Sequence, residues 1–343
     1  MKDVGQRAAE AAALKSATPY VRLFKGKTFV LKAGGAALEG AGAVTALIEQ
    51  VEVLHQLGIR TVLVHGGGTQ SSALARALGA EPRFVAGRRV TDEAALEVAT
   101  LMLNGSINTR LLAACRRTGL PAIGTSGVAA GLIVARRRPP VALAAGGEPV
   151  DYGLVGDIVA VDPTVLHTLL AAGLVPVVSP LSADARGALL NINADTVAAA
   201  LAVALDAEKL ILLTGGPGIL ERPDDPRSLV SYTDLRGLAR LREQGCLASG
   251  MLPKASAIES AIRGGVPRVH IISGQQPDSL LVEVFTNQGC GTLVVEDVHV
   301  LAPAELAPAG PAPSAETSSP AAPLGPGEPA ARAGGGPGRE SAP

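Results

Sequence analysis

The chain has 343 residues, 47% hydrophobic but only 2% aromatic and without Trp, so its core must be built from Ala, Val, Leu and Ile, which suits helices packed on a parallel sheet. Its 30 basic and 31 acidic residues leave a formal net charge of -1, which excludes the one-signed field that steers proteins onto nucleic acid or anionic lipid. Three scattered cysteines without a CxxC or Cys/His pairing exclude a disulfide framework or structural zinc; with no apolar run of the ~18 to 20 residues a membrane helix needs, the expected home is the cytoplasm.

In chain order, residues 1–17 mix charge into Ala too evenly for a secretory segment. Residues 1–27 read as an N-terminal helical arm, interrupted at Pro19 and followed by Tyr20, Val21, Leu23 and Phe24. That apolar stretch needs a cover, either its own domain or a partner. A strand is predicted at 28–33 (TFVLKA), then a helix with Val44, Leu47, Ile48, Val51 and Leu54 on one face, then a strand at 60–65 (RTVLVH). Hairpin-like pieces at 131–137 and 153–162 suggest an antiparallel insertion or lid. Further strands are predicted at 174–179, 209–214 and 268–273, with helices at 194–207 and 253–265, the latter closed by glycines. The strand runs are continuously apolar, as expected when both faces are covered. The expected fold is α/β, a three-layer αβα sandwich with a mainly parallel central sheet. From 299 the composition turns to Pro, Ala, Gly and Ser, so 299–343 is expected to be a disordered tail and 28–298 the folded domain.

In such sheets ligands sit where strands end and helices begin. Three strand ends here are glycine-rich: LKAGG at 31–35, HGGG at 65–68 and LTGGPG at 213–218. The P-loop pattern is absent, and Ser71 stands where a dinucleotide fingerprint needs its third Gly or Ala. An ATPase of the Walker type and a nicotinamide dehydrogenase are both disfavoured. Any one of these turns also reads as a plain tight connection.

The motifs taken together resemble the amino acid kinase family, and within it the N-acetylglutamate kinases. They occur in order: K-x-G-G at 32–35, H-G-G-G at 65–68, G-x-R-V-T-D at 87–92, N-G-x-I-N at 104–108, N-I-N-A-D at 191–195 and G-M-x-P-K at 250–254. The resemblance spans about 19–296 and implies a carbamate kinase-like fold, with an N-lobe of about 28–190 for the acylated amino acid and a C-lobe of about 191–298 for the nucleotide. It implies transfer of the γ-phosphoryl of ATP to the side-chain carboxylate of N-acetyl-L-glutamate, with Mg²⁺ brought by the nucleotide and no metal ligands in the protein. Lys32 and Lys254 would stabilise the transition state, and Asp195 would orient both, although Asp at the start of a helix also reads as an N-cap. Gly67 and Gly68 would close on the reacting carboxylate and incoming phosphoryl oxygens, where any Cβ would occupy the space. Arg89 would grip the α-carboxylate, a task its neighbour Arg88 is equally equipped for. Asn191 would bind the acylated amino acid. The nucleotide would meet Gly34, Gly35, Thr214, Gly218 and Lys254.

The carboxylate nucleophile ionises near pH 4.3, so no general base is required, and the five histidines read as structural. Gly215 stands where relatives commonly carry Asp, and SGVAAGLI at 126–133 lacks a charged pair found in relatives. The first departure keeps open a non-catalytic sensor. Arg89 and Asn191 would also suit a same-fold kinase for N-succinylglutamate or a carrier-linked aminoadipate. The arm resembles that of arginine-inhibited acetylglutamate kinases, which implies an L-arginine site near Tyr20, Glu283 and Gly289, and homodimers joined into a hexamer.

Overall fold

A computed structural model describes residues 4–142, 148–247 and 250–300. The tail expected from 299 lies outside the described residues from 301 onward.

The strands are β1 (Thr28–Ala33), β2 (Arg60–His65), β3 (Phe84–Val85), β4 (Arg88–Arg89), β5 (Ala122–Ser126), β6 (Ile133–Arg137), β7 (Gly156–Val161), β8 (Val175–Ser179), β9 (Leu181–Ala183), β10 (Leu189–Asn191), β11 (Lys209–Thr214), β12 (Tyr232–Asp234), β13 (Val269–Ser273) and β14 (Thr292–Val295). Eight of them form the central sheet in the order β12-β14-β13-β11-β1-β2-β8-β5. Every pairing in it is parallel except β13 with β14. A separate four-stranded sheet, β10-β9-β6-β7, contains the expected antiparallel pair β6 and β7, and β3 and β4 make a small hairpin.

The helices are α1 (Val4–Phe24), α2 (Gly40–Gln56), α3 (Gly68–Ala77), α4 (Glu93–Thr100), α5 (Asn108–Thr118), α6 (Thr164–Ala171), α7 (Ala194–Ala204), α8 (Leu235–Glu243), α9 (Leu252–Arg263) and α10 (Ser279–Phe285). A π-helix, Leu101–Ile107, joins α4 to α5. Alternate residues of β1 point to opposite layers. Val30 faces a core formed with α6, α7, α8 and α9, while Phe29, Leu31 and Ala33 face one formed with α2, α5 and α10. The sheet is thus buried on both faces, which is why its strands read as unbroken apolar runs.

One expectation fails in the arm. Helix α1 carries straight through Pro19. Proline removes one N–H and crowds the carbonyl four residues back, which an otherwise regular helix tolerates at a cost. The helix is anchored at its far end, where Phe24 is buried and packs edge-on against Phe29 at 5.3 Å.

Candidate functional site

Lys32 is the next-to-last residue of β1, in register with Leu212 of β11 and Val64 of β2. Asp195 is the second residue of α7, and Lys254 the third of α9, whose first turn is opened by Pro253. The fold brings the three together. Lys32 Nζ lies 2.9 Å from Asp195 Oδ1, and Lys254 Nζ lies 3.1 Å from both Asp195 Oδ1 and Oδ2. All three are buried. The cap of α7 is Asn193, whose Oδ1 accepts from Asp195 N at 2.8 Å and Thr196 N at 3.2 Å. The capping alternative for Asp195 is therefore overturned: Asn193 takes the backbone donors, and the Asp195 carboxylate is left for the lysines.

Two ammonium groups against one carboxylate give a buried cluster with an excess positive charge, suited to an anion. Burial alone would push the Asp195 carboxyl up, but Lys32 and Lys254 outweigh it and hold it below the usual carboxylate range. Burial, then the charge of Lys32, make Lys254 bind its proton less tightly than a free lysine, against the support of Asp195.

Lys32 stands between two cavities. One, of about 220 Å³, is bounded by Gly66, Gly67, Gly68, Arg89, Asn191 and Asp195. The other, of about 370 Å³, is bounded by Thr214, Gly215, Gly216, Gly218 and Lys254. The first shares Gly68, Arg89 and Asn191 with a cleft of about 630 Å³ that is also lined by Phe84 and Arg88. Gly34 and Gly35 bound neither of the two cavities at Lys32. A Cβ on Gly34 would lie 2.9 Å from Lys32 Nζ.

The steric reading of Gly67 also needs correction. Its missing side chain leaves room for protein: a Cβ would meet Ile107 Cδ1 at 2.4 Å and Leu103 Cδ2 at 2.8 Å, both from the π-helix. A Cβ on Gly68 would meet nothing within 4 Å. As the cap and first residue of α3, Gly67 and Gly68 carry N–H groups with no partner inside that helix. His65, directly before the triplet, is fully buried, and burial pulls its pKa down to about 4, so it is neutral. Its Nδ1 faces the Gly66 carbonyl at 3.2 Å, and its Nε2 faces Asn108 Nδ2 at 3.2 Å.

Arg89 donates to the Gly68 carbonyl at 3.0 Å and to Ser72 Oγ, and its guanidinium lies 4.8 Å from the centre of the Phe84 ring. Burial lowers its pKa from the ordinary value, with Arg76 adding to the effect. Arg88 is exposed on the neighbouring strand position. Asn191 Nδ2 donates to Thr91 Oγ1 at 3.3 Å. Thr214 Oγ1 donates to the Gly216 carbonyl at 2.8 Å and so shapes the glycine turn.

Tyr20, Glu283 and Gly289 gather elsewhere, around a cavity of about 310 Å³. Tyr20 of α1 donates to Asn287 Oδ1. Glu283 accepts from His270 Nδ1 at 2.6 Å, Cys290 N at 2.6 Å and Gly291 N at 3.1 Å. Despite burial, His270, the Cys290 N–H and the charge of Lys209 hold its carboxyl down at about 2. Lys209 Nζ reaches His270 Nε2 at 2.9 Å. Sequence reasoning missed Lys209 and His270 here, as well as the π-helix behind the triplet; no local pattern marks a contact made across the sheet.

The model of the amino acid kinase family matches residues 27–273. The acetylglutamate kinase of Myxococcus xanthus (strain DK1622) is 51% identical over 290 residues, 83% of this chain and 94% of that one. That of Archaeoglobus fulgidus is 42% identical over 283 residues, 82% of this chain and 97% of the relative. An N-acetylglutamate synthase from Neisseria gonorrhoeae, solved with coenzyme A and L-arginine, superposes with a TM-score of 0.73 at 33% identity over 84% of this chain; the chain spans 65% of that protein's length. Carbamate kinase from Giardia lamblia bound to AMP-PNP shares the fold, with a TM-score of 0.55 at 19% identity, covering 79% of this chain and 99% of the other. With its three-layer fold, its buried Lys–Asp–Lys cluster and these matches across most of its length, the chain belongs to the amino acid kinase family.

Proposed function

We propose that this protein transfers the γ-phosphoryl group of ATP to the side-chain carboxylate of N-acetyl-L-glutamate, giving N-acetyl-L-glutamyl 5-phosphate, an early step of arginine biosynthesis. The observation that carries this reading is the Asp195 carboxylate holding both ammonium groups where the two cavities meet. The acid occupies the cavity of the glycine triplet, with Arg89 as a planar fork for the α-carboxylate and Asn191 for the acylated amino group. The nucleotide occupies the cavity of Thr214 to Gly218, entering as its Mg²⁺ complex. Among the described residues, no group of three or more His, Cys, Asp or Glu is placed to hold a metal ion by itself. In this reading 28–190 serve mainly the acid and 191–298 the nucleotide.

The obstacle to the reaction is repulsion between two anions, because the nucleophilic carboxylate is already ionised at neutral pH. Lys32, on the wall shared by both cavities, and Lys254, on the nucleotide side, offset the charge that spreads over the equatorial phosphoryl oxygens. Asp195 keeps the two from repelling each other apart. Backbone N–H groups at the start of α3 add donors for the approaching oxygens.

The test is hydroxylamine trapping of the acyl phosphate with Mg²⁺-ATP and a panel of acidic amino acids, free and N-acylated. Hydroxamate from N-acetyl-L-glutamate is expected; its absence there, or preference for another acid, refutes the assignment.

For the separate cavity at Tyr20 we propose L-arginine as a feedback inhibitor, lying between α1 and the segment around Glu283 and Gly289. The anionic Glu283 offers a partner for a guanidinium, and α1 exposes Leu14 and Leu23, apolar surface suited to another copy of the chain in a dimer or a ring of dimers. Removing residues 1–25 should abolish inhibition and leave dimers; unchanged arginine sensitivity refutes the site. None of the described helices is long and apolar enough to cross a membrane, and the proposed pathway places the enzyme in the cytoplasm.

A further inference from the structure

The N-G-x-I-N motif supplies no side chain to the transfer described above, yet it is built into the back of the glycine triplet. Asn104 and Ile107 belong to the π-helix, and Asn108 opens α5. Ile107 and Leu103 fill the space a Gly67 side chain would need. Asn108, itself buried, donates to the Val177 carbonyl at 3.0 Å and faces His65 Nε2, while Asn104 Oδ1 accepts from Ser179 Oγ. Both asparagines therefore fasten the π-helix to β8, and Asn108 also grips the residue that precedes the triplet.

A π-turn inserts one residue beyond the α-helical repeat, is rare, and is frequent at functional sites. Here it turns the ends of Leu103 and Ile107 against one bare α-carbon. We propose that the π-helix with Asn108 is the positioning element of the glycine triplet: it presses the Gly67 backbone into place and thereby aims the Gly67 and Gly68 N–H groups at the carboxylate being phosphorylated. The residues concerned are Leu103, Ile107 and Asn108, acting through Gly67 and His65. This inference rests on the reading of the triplet as part of the acid site.

It is tested by pairing a clash with its relief in the full chain. Gly67→Ala should raise KM for N-acetyl-L-glutamate about tenfold or more, with KM for Mg²⁺-ATP unchanged, because a misplacement on the order of 1 Å costs large factors in aligned sites. Gly67→Ala with Ile107→Val removes the methyl group at the nearest contact and should recover at least about threefold of that loss. If Gly67→Ala does not fold, Ile107→Ala decides: it should raise the same KM about threefold or more and leave the ATP value alone. Equal losses in both KM values, no relief in the double variant, or an unaltered KM in Ile107→Ala would overturn the proposal. Calorimetric binding of N-acetyl-L-glutamate to the unaltered protein separates the two layers. No binding there refutes the site reading and this inference with it; binding that the variants leave intact refutes the inference alone.

Discussion

Replacing Asp195 by Asn is nearly isosteric and removes a single charge, yet it acts on three groups at once. In the native site one carboxylate faces two ammonium groups at 2.9 and 3.1 Å. At an effective dielectric constant near 20, each contact corresponds to roughly 5 kcal/mol of attraction before desolvation is subtracted, and stripping the partner from a buried charge costs about 3–5 kcal/mol net. The variant has two buried cations with no negative charge between them. Lys254, whose affinity for its proton is already reduced by burial and by Lys32, then gives the proton up more readily, and the transfer site loses a positive charge. Loss of one such stabilising group is worth about 10²–10³ in kcat. The expected result is therefore a fall of that size in kcat, measured by hydroxamate formation at saturating substrates, with KM for either substrate changed little. The sign of the pH dependence follows as well: residual activity should rise as pH is lowered and Lys254 regains its proton, until the substrate carboxylate itself titrates. Normal turnover in Asp195→Asn, or residual activity that rises with pH, would refute the reasoning.

Arg89→Lys should raise KM for N-acetyl-L-glutamate about tenfold or more, since an ammonium cannot reproduce a two-pronged grip or stacking over Phe84; an unaltered KM in steady-state assays would transfer the task to Arg88. Gly153→Ala should destabilise the protein by about 3 kcal/mol or more in urea unfolding, because Gly153 holds φ at +73° and a Cβ would sit 2.3 Å from the Thr91 carbonyl oxygen. Acid should weaken the fold through two histidines. Burial lowers His65 to about 4, and burial with Lys209 lowers His270 to about 4. The unfolded chain therefore takes up protons near pH 6.5 that the folded chain refuses, and stability is lost as pH falls through this window. By pH 5 each histidine should cost about 2 kcal/mol, or roughly 8 °C in Tm for the pair; half that shift would show that one of them is charged in the folded protein, and a flat Tm between pH 7 and 5 would refute the reasoning for both.

The elements most legible in the sequence were those with the most burial. The runs at 28–33 and 60–65 coincide with β1 and β2, and those at 174–179 and 268–273 begin one residue ahead of β8 and β13. Strand β5 escaped notice because AIGTS is only half-buried at the edge of the sheet and contains a glycine. Strand β14 is four residues long and follows a glycine turn. The reactive cluster is different in kind. Nothing local ties Lys32 to Asp195 or Lys254; only the order of short motifs pointed to their meeting, and the fold supplies the distances. Pro19 signals a break by its own chemistry, whereas the rest of α1 has enough helix formers to run past it. At Gly67 the sequence shows that a side chain is absent without showing what fills the gap. The π-helix is a backbone state with no compositional mark.

The position of β1, flanked by β2 on one side and β11 on the other, has an evolutionary consequence. In the proposed reading, loops hanging from the β2 half border the acid and those following β11 border the phosphate donor, so either set can change while the other is kept. Lys32 has no such liberty in that reading: lining both cavities, it must suit every pairing of guests the scaffold adopts.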